Sequence, residues 1–298
     1  MKGRPKSNLR IAISAILFAC FIYAILSAMV KQELSHLSVP GILFWRYLIS
    51  LFLFVPWMFY KTRNTGVNLK PTSFKLYWVR TIAILASIYF YCAALKTLSV
   101  AITSLLFNIL PLFVPLVARA WKKVPINHQL WWGFVVALIG VGFVINPHQM
   151  NWNVDMLFAI GAGLCGAFSL VALRFSHYEE SSYRINFYFF LFAFLITVPM
   201  TFWNVDTSWM SLKATDILPL IAIGVTGFLY QQSFSLALKN GPARFLAPFM
   251  YSTVVWGSVL DWWIWNTTFT AMMWFGIGLV IVGNILIYLL YPKKDLTS

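Results

Sequence analysis

Residues 94–111 read ALKTLSVAITSLLFNILP, a run apolar enough for lipid that still holds Lys96, Asn108 and Pro111. The opening tripeptide returns at residues 237–239, leading into ALKNGPARFLAPFMYSTV at 237–254, a second apolar run with a polar centre. The two copies are 143 positions apart. At that offset and without a gap, Val55-Pro56 falls on Val198-Pro199, Trp131 on Trp274, Gly133 on Gly276, Gly140 on Gly283 and Lys31 on Arg174. Landmarks holding one offset along the chain are the mark of an internal repeat.

The repeat unit lies in a lipid-soluble chain. Of 298 residues, 60% are hydrophobic and 10% charged, and the mean hydropathy is +0.78. A water-soluble domain has too little interior for so much apolar surface. Spans of about 20 apolar residues are expected at 11–30, 39–60, 76–95, 100–120, 129–146, 156–175, 185–203, 217–238, 245–264 and 271–291. The expected fold is therefore an all-α integral membrane protein of ten transmembrane helices. Residues 1–10 and 292–298 are terminal segments, and 11–146 and 155–291 are the two five-helix repeats. Five is odd, so the second repeat enters the membrane inverted, a common construction in secondary transporters. The first apolar run is of full span length and reads as a retained helix, not a cleaved signal.

Charge placement supports the count. With the first end in the cytoplasm, 17 of the 22 basic residues fall in cytoplasmic segments; Lys31, Lys96 and Lys213 fall outside, and Arg46 and Arg80 lie within spans. The positive-inside rule gives this pattern for ten spans, with both termini in the cytoplasm of a cell whose inner membrane holds the protein. The net charge of +14 is thus a topology signal and calls for no nucleic-acid partner. Cys20, Cys92 and Cys165 all fall in spans without a CxxC pair, so no disulfide framework or zinc site is expected. His36, His128, His148 and His177 lie in loops or at span edges, and none is expected to cluster with a carboxylate. No phosphate loop, metal triad or nucleophile–base pair stands out, so no cofactor and no catalytic residue is expected.

The segments FFLFAFLITVP, ALKNGPARFLAPFMY and WWGFVVALIGVGFVINP, with FWRYLIS around Arg46 and YWVRTIAIL around Arg80, resemble the drug/metabolite transporter superfamily, in particular its EamA-type ten-helix members. The resemblance runs from about Leu9 to Tyr291 and implies a carrier of small organic solutes. Amino-acid exporters and S-adenosylmethionine carriers are known in that family. One departure is visible: where the family often has a glutamate between the fourth and fifth helix of each half, this chain has Lys123 and Asn266.

Polar residues inside spans need an account, because lipid does not satisfy them. Ser104, Asn108 and Pro111 share one helix face, and Tyr251 is the repeat mate of Asn108. With Ser87, Tyr91, Tyr230 and Gln231 they are the expected substrate lining, two walls of one cavity; interhelical hydrogen bonding is the rival reading. The glycines of the fifth and tenth spans read as close-packing faces. Arg46, Arg80, Lys96 and Lys239 are expected at the rims or gates, with snorkelling and helix-dipole stabilisation as the rivals. Asp261 is the sole carboxylate well inside a span and the one candidate for ion coupling. The expected cargo is an amino acid or related zwitterionic or anionic solute, with lipid around the protein and a homodimer compatible with the fold. A non-transporting structural protein would have a dry, filled seam between the halves.

Overall fold

The computed structural model describes residues 8–65, 74–122, 154–176, 182–203, 214–241 and 249–290, with Leu246 and scattered positions between 132 and 143. Most of the fifth expected span, the termini, Lys123, Pro248, His128, His148 and His177 lie outside the described residues. Every element among them is helical: α1 Leu9–Glu33, α2 Val39–Thr65, α3 Phe74–Leu95, α4 Val100–Phe107, α5 Leu110–Lys122, α6 Val154–Ser176, α7 Ser182–Trp203, α8 Ala214–Asn240, α9 Ser252–Trp265 and α10 Ala271–Leu290. Six of these (α1, α2, α3, α6, α7 and α8) are long and apolar enough to cross a bilayer. Large apolar side chains such as Phe52, Leu218 and Trp263 stand about three-quarters exposed. In a multi-pass membrane protein that surface meets acyl chains instead of water.

Local chemistry sets the helix ends. Asn8 Oδ1 accepts the Ile11 amide at 3.4 Å to start α1, and Ser99 Oγ accepts the Ile102 amide at 3.2 Å to start α4. Both satisfy amides that an α-helix leaves free at its first turn. Helix α9 ends on Asn266 in the left-handed region (φ 52°), and its amide returns to the Asp261 carbonyl. Asparagine tolerates that conformation better than most residues.

The expected fourth span is not one helix. It breaks at Asn108 and Ile109, so that α4 and α5 meet at a turn. A second turn stands at Tyr251, just before α9, and Tyr251 is the position that the 143-residue offset pairs with Asn108. The packing follows the same offset. Helix α1 packs on α8 and α3 on α6, pairs that the repeat exchanges; α2 packs on its own mate, α7, and α4 packs on α9. The halves thus interleave along a shared seam, and most of the core lies between them.

The fifth and tenth segments meet through glycine. A Cβ on Gly140 would lie 2.7 Å from the Val280 amide nitrogen and 2.8 Å from the Gly276 carbonyl oxygen, both backbone atoms that cannot step aside. Gly140→Ala is therefore expected to lower thermal stability by about 1–3 kcal/mol, the usual range for overpacking. Gly278→Ala, with nothing within 4 Å of the new methyl, is the matched control. It should be neutral or mildly stabilising in a melt of the detergent-purified protein.

Candidate functional site

At the centre of the seam the two chain breaks touch. The Tyr251 hydroxyl donates to the Asn108 carbonyl at 2.5 Å, and Asn108 Nδ2 donates to Thr253 Oγ1 at 2.8 Å. A helix break frees carbonyls, and buried ones need donors; Tyr251 supplies one to Asn108, and Asn108 Nδ2 reaches the Met250 carbonyl at 3.5 Å in return. Asn108 and Tyr251 are both 2% exposed. The expected cavity wall is instead a direct contact in this structure, with no passage between the two residues. Tyr251→Phe removes the donor and leaves the carbonyl buried. It should cost about 1–3 kcal/mol, read as a lower melting temperature.

The polar space lies nearer the Lys31 end of the bundle. Tyr23, Ser27, Arg46, Ile88, Tyr91 and Leu95 line a cavity with about 10 Å³ open to water centres, roughly one water. Its hydrogen bonds have a fixed sense. Ser27 Oγ lies 2.8 Å from the Tyr23 carbonyl, so its one proton is used there. Tyr91 then donates to Ser27 Oγ at 3.0 Å, and Ser104 Oγ donates to the Tyr91 hydroxyl at 2.8 Å. The rings of Tyr230 and Tyr91 lie 4.8 and 5.5 Å from that of Tyr23. Of the expected lining, Tyr91, Ser104 and Tyr230 meet here. Ser87 is turned away and donates to the Ala162 carbonyl at 2.6 Å. Gln231 joins a separate node, donating to Asn186 Oδ1 at 3.2 Å; Ser235 also donates to that oxygen, and Asn186 donates to Gln232.

Two buried arginines mark the seam. Arg46, 6% exposed, lies about 10 Å into α2 from its start at Val39. It packs against Gly227 of α8, where a Cβ would come within 2.9 Å of its Nε. Arg80, 5% exposed, lies about 9 Å into α3 from the opposite end of the bundle. Its guanidinium sits 5.4 Å from the Phe189 ring of α7, and its Nε and Nη1 have no hydrogen-bond partner. Phe189 is the repeat mate of Arg46, and the α2–α8 and α7–α3 contacts are mates as well. Among the described residues neither arginine has a carboxylate within ion-pair distance. One turn before Arg80 on the same face, the Tyr77 hydroxyl is also buried and unpartnered.

The remaining expected residues have other company. Lys96 and Lys239 are exposed, and Lys239 Nζ lies 6.0 Å from the Tyr183 ring. Asp261 is fully buried and caps α4, accepting the Val100 amide at 3.0 Å and the Ala101 amide at 2.7 Å, with Lys31 Nζ at 3.8 Å. The reading that no histidine is grouped with a carboxylate is corrected. His36 Nε2 lies 3.1 Å from Glu33 Oε2 and 3.6 Å from Asp216 Oδ1. Glu33 falls past the end of the expected first span, and folding alone brings Asp216 to it. Sequence reading also missed Tyr23, Ser27, Asn186 and Thr253. Tyr23 and Ser27, four apart in an apolar span, carried the one signal available: two hydroxyls on one helix face.

Among the described residues, an all-helical fold with large apolar side chains on its surface and an arginine-bearing seam between two related halves is that of a multi-pass membrane protein. The chain belongs to the EamA-like transporter family, whose model matches residues 10–146 and again 154–289. It is 25% identical over 283 residues to the pseudopaline exporter of Pseudomonas aeruginosa, covering 94% of this chain and 95% of that one. The S-adenosylmethionine uptake transporter of Rickettsia felis is 20% identical, with 86% and 84% covered. The riboflavin transporter of Vibrio cholerae is 20% identical, with 94% and 93% covered. A crystal structure of 16% identity superposes with a TM-score of 0.62 over 96% of this chain and 99% of the other, a likeness of fold. Family and relatives are named as transporters of small molecules, not as enzymes.

Proposed function

We propose that this protein is a secondary carrier that moves a small anionic or zwitterionic metabolite, of the amino-acid class, across a bacterial inner membrane by alternating access. The reading takes ten transmembrane helices, two inverted five-helix repeats bounded at 11–146 and 155–291, and both termini in the cytoplasm. One observation carries it: two buried guanidinium groups, one entering from each end of the bundle on mate-related helix contacts, and neither held by a carboxylate among the described residues. An unpaired buried cation is costly, so a chain that keeps two has a use for them. A substrate carboxylate, bound bidentately, is the partner that fits.

The one-water cavity is far too small for such a cargo, so this reading takes the present shape as occluded, with the helices parting to admit substrate. Transport then needs only differential binding between two states. The cluster of Tyr23, Tyr91 and Tyr230 favours a second cargo, a sulfonium-bearing nucleoside amino acid such as S-adenosylmethionine, because aromatic faces attract cations. The deciding experiment is uptake by purified protein in liposomes across a panel of amino acids and nucleoside metabolites, with and without a pH gradient. Saturable uptake of a carboxylate-bearing solute is expected. If no solute moves under any gradient, the protein is a structural one and the closed seam is its resting state.

A further inference from the structure

Outside the seam, one cluster has no role in the carrier reading. Glu33 ends α1, Asp216 lies in the first turn of α8, and His36 lies on the helical turn that continues α1, its amide returning to the Glu33 carbonyl at 3.2 Å. Glu33 Oε2, His36 Nε2 and Asp216 Oδ1 all lie within 4.8 Å of one another. Their repeat mates are Ser176, Glu179 and Ser73, so the repeat did not impose the grouping.

The hydrogen bonds around His36 fix which nitrogen faces the acids. Ser35 Oγ donates to the Gln32 carbonyl at 2.8 Å, which uses its one proton. The 3.1 Å contact between Ser35 Oγ and His36 Nδ1 therefore has Nδ1–H donating. That leaves Nε2 directed at two carboxylates, and in the neutral ring it is a lone pair. His36 Nε2, Glu33 Oε2 and Asp216 Oδ1 then converge, with Asp216 Oδ1 also accepting the Thr215 hydroxyl at 3.2 Å. Glu33 is only 5% exposed, yet its Oε2 has no hydrogen-bond partner, with His36 Nε2 standing 3.1 Å away. A buried carboxylate oxygen in that condition calls for a positive partner, which a metal ion or an imidazolium can supply.

We propose that Glu33, His36 and Asp216 bind a divalent transition-metal cation of the zinc type. Imidazole and carboxylate ligands at about 2.0–2.2 Å place ligand atoms about 3.4 Å apart around a tetrahedral metal. The two histidine–carboxylate distances of 3.1 and 3.6 Å bracket that spacing, and the carboxylate–carboxylate distance, within 4.8 Å, closes to it with a small side-chain shift. The imidazole excludes a hard-cation preference for magnesium or calcium, which take all-oxygen shells. Nδ1–H, held by Ser35, is the supporting bond that metal-binding histidines normally make. His36 is 45% exposed at its side chain, which gives the ion an entry path and leaves room for water as a fourth ligand. The carrier reading contributes only the side, extracytoplasmic; the site itself stands without it.

The test is a calorimetric titration of the chelator-stripped full chain in detergent, with any affinity tag removed, using zinc and, separately, magnesium. One zinc per chain is expected, with no magnesium binding. His36→Ala, Glu33→Gln and Asp216→Asn should each weaken zinc binding at least 30-fold, while His128→Ala leaves it unchanged. Zinc should also raise the melting temperature of the wild type and not that of His36→Ala. His36 is the most exposed of the three, so His36→Ala tests the site even if Glu33→Gln fails to fold. Equal zinc affinity in wild type and His36→Ala overturns the proposal. A titration in detergent requires no transport, so a failure here is separate from a failure of the carrier reading.

Discussion

Asp261→Ala is expected to be the most damaging single substitution in the protein, by about 3–5 kcal/mol. The carboxylate is fully buried and holds three helices together: it caps α4 through the Val100 and Ala101 amides and faces Lys31 of α1 from its own place on α9. Alanine would leave the two buried amides without their acceptor and take the carboxylate away from the half-buried Lys31 ammonium, and each buried orphan carries its own desolvation penalty. Asp261→Asn has one acceptor oxygen and turns an NH2 group toward an amide, so it should fall between alanine and wild type. Lys31→Met keeps both amide bonds and should lose least. Thermal aggregation of the purified variants gives this order directly. These three partners favour a structural post for Asp261 over ion coupling. Asp261→Asn protein that survives purification should accordingly respond to an imposed pH gradient as the wild type does; loss of that response alone would return Asp261 to the coupling role.

Arg80→Met should have the opposite signature. Its guanidinium is buried with two nitrogens unpartnered, so an apolar replacement of similar length removes a desolvation penalty and should leave the melting temperature unchanged or higher. Uptake should nevertheless fall by about 100-fold, the loss of roughly 3 kcal/mol of charge-assisted binding. Arg46→Met should lower uptake similarly from the other end of the bundle. Arg80→Lys should recover part of the uptake, because an ammonium keeps the charge but not the bidentate fork. The combination separates the readings: an arginine that serves packing loses stability when replaced, whereas one that serves cargo loses transport and gains stability. A destabilised Arg80→Met with normal uptake would dismiss it from the site.

Much of this was legible from the chain alone. Apolar length marked the six helices long enough to cross a bilayer, and the 143-residue offset marked the halves and paired Asn108 with Tyr251. Charge in lipid singled out Arg46 and Arg80, because composition is enough to make them expensive. What was not legible depended on backbone groups and distant partners. Asp261 reads as a lone acid in an apolar helix, since its ligands are main-chain amides some 160 residues away. Ser87 and Gln231 carry the polarity expected of a lining, but side-chain type does not tell which neighbour a helix face will meet. Glu33, His36 and Asp216 are unremarkable one at a time, and only the packing of α1 on α8 makes them a group.

The bond between the two chain breaks carries a mechanical consequence. In the carrier proposed above, each break is the natural pivot for the half-helix beyond it, and the two pivots are fastened to one another through Tyr251 and Asn108. Neither arm can swing without pulling on its twin, so the molecule has one rocking coordinate where separate hinges would give it two. A device with a single such coordinate cannot gape at both mouths at once, which is what keeps a membrane from leaking while its cargo changes sides.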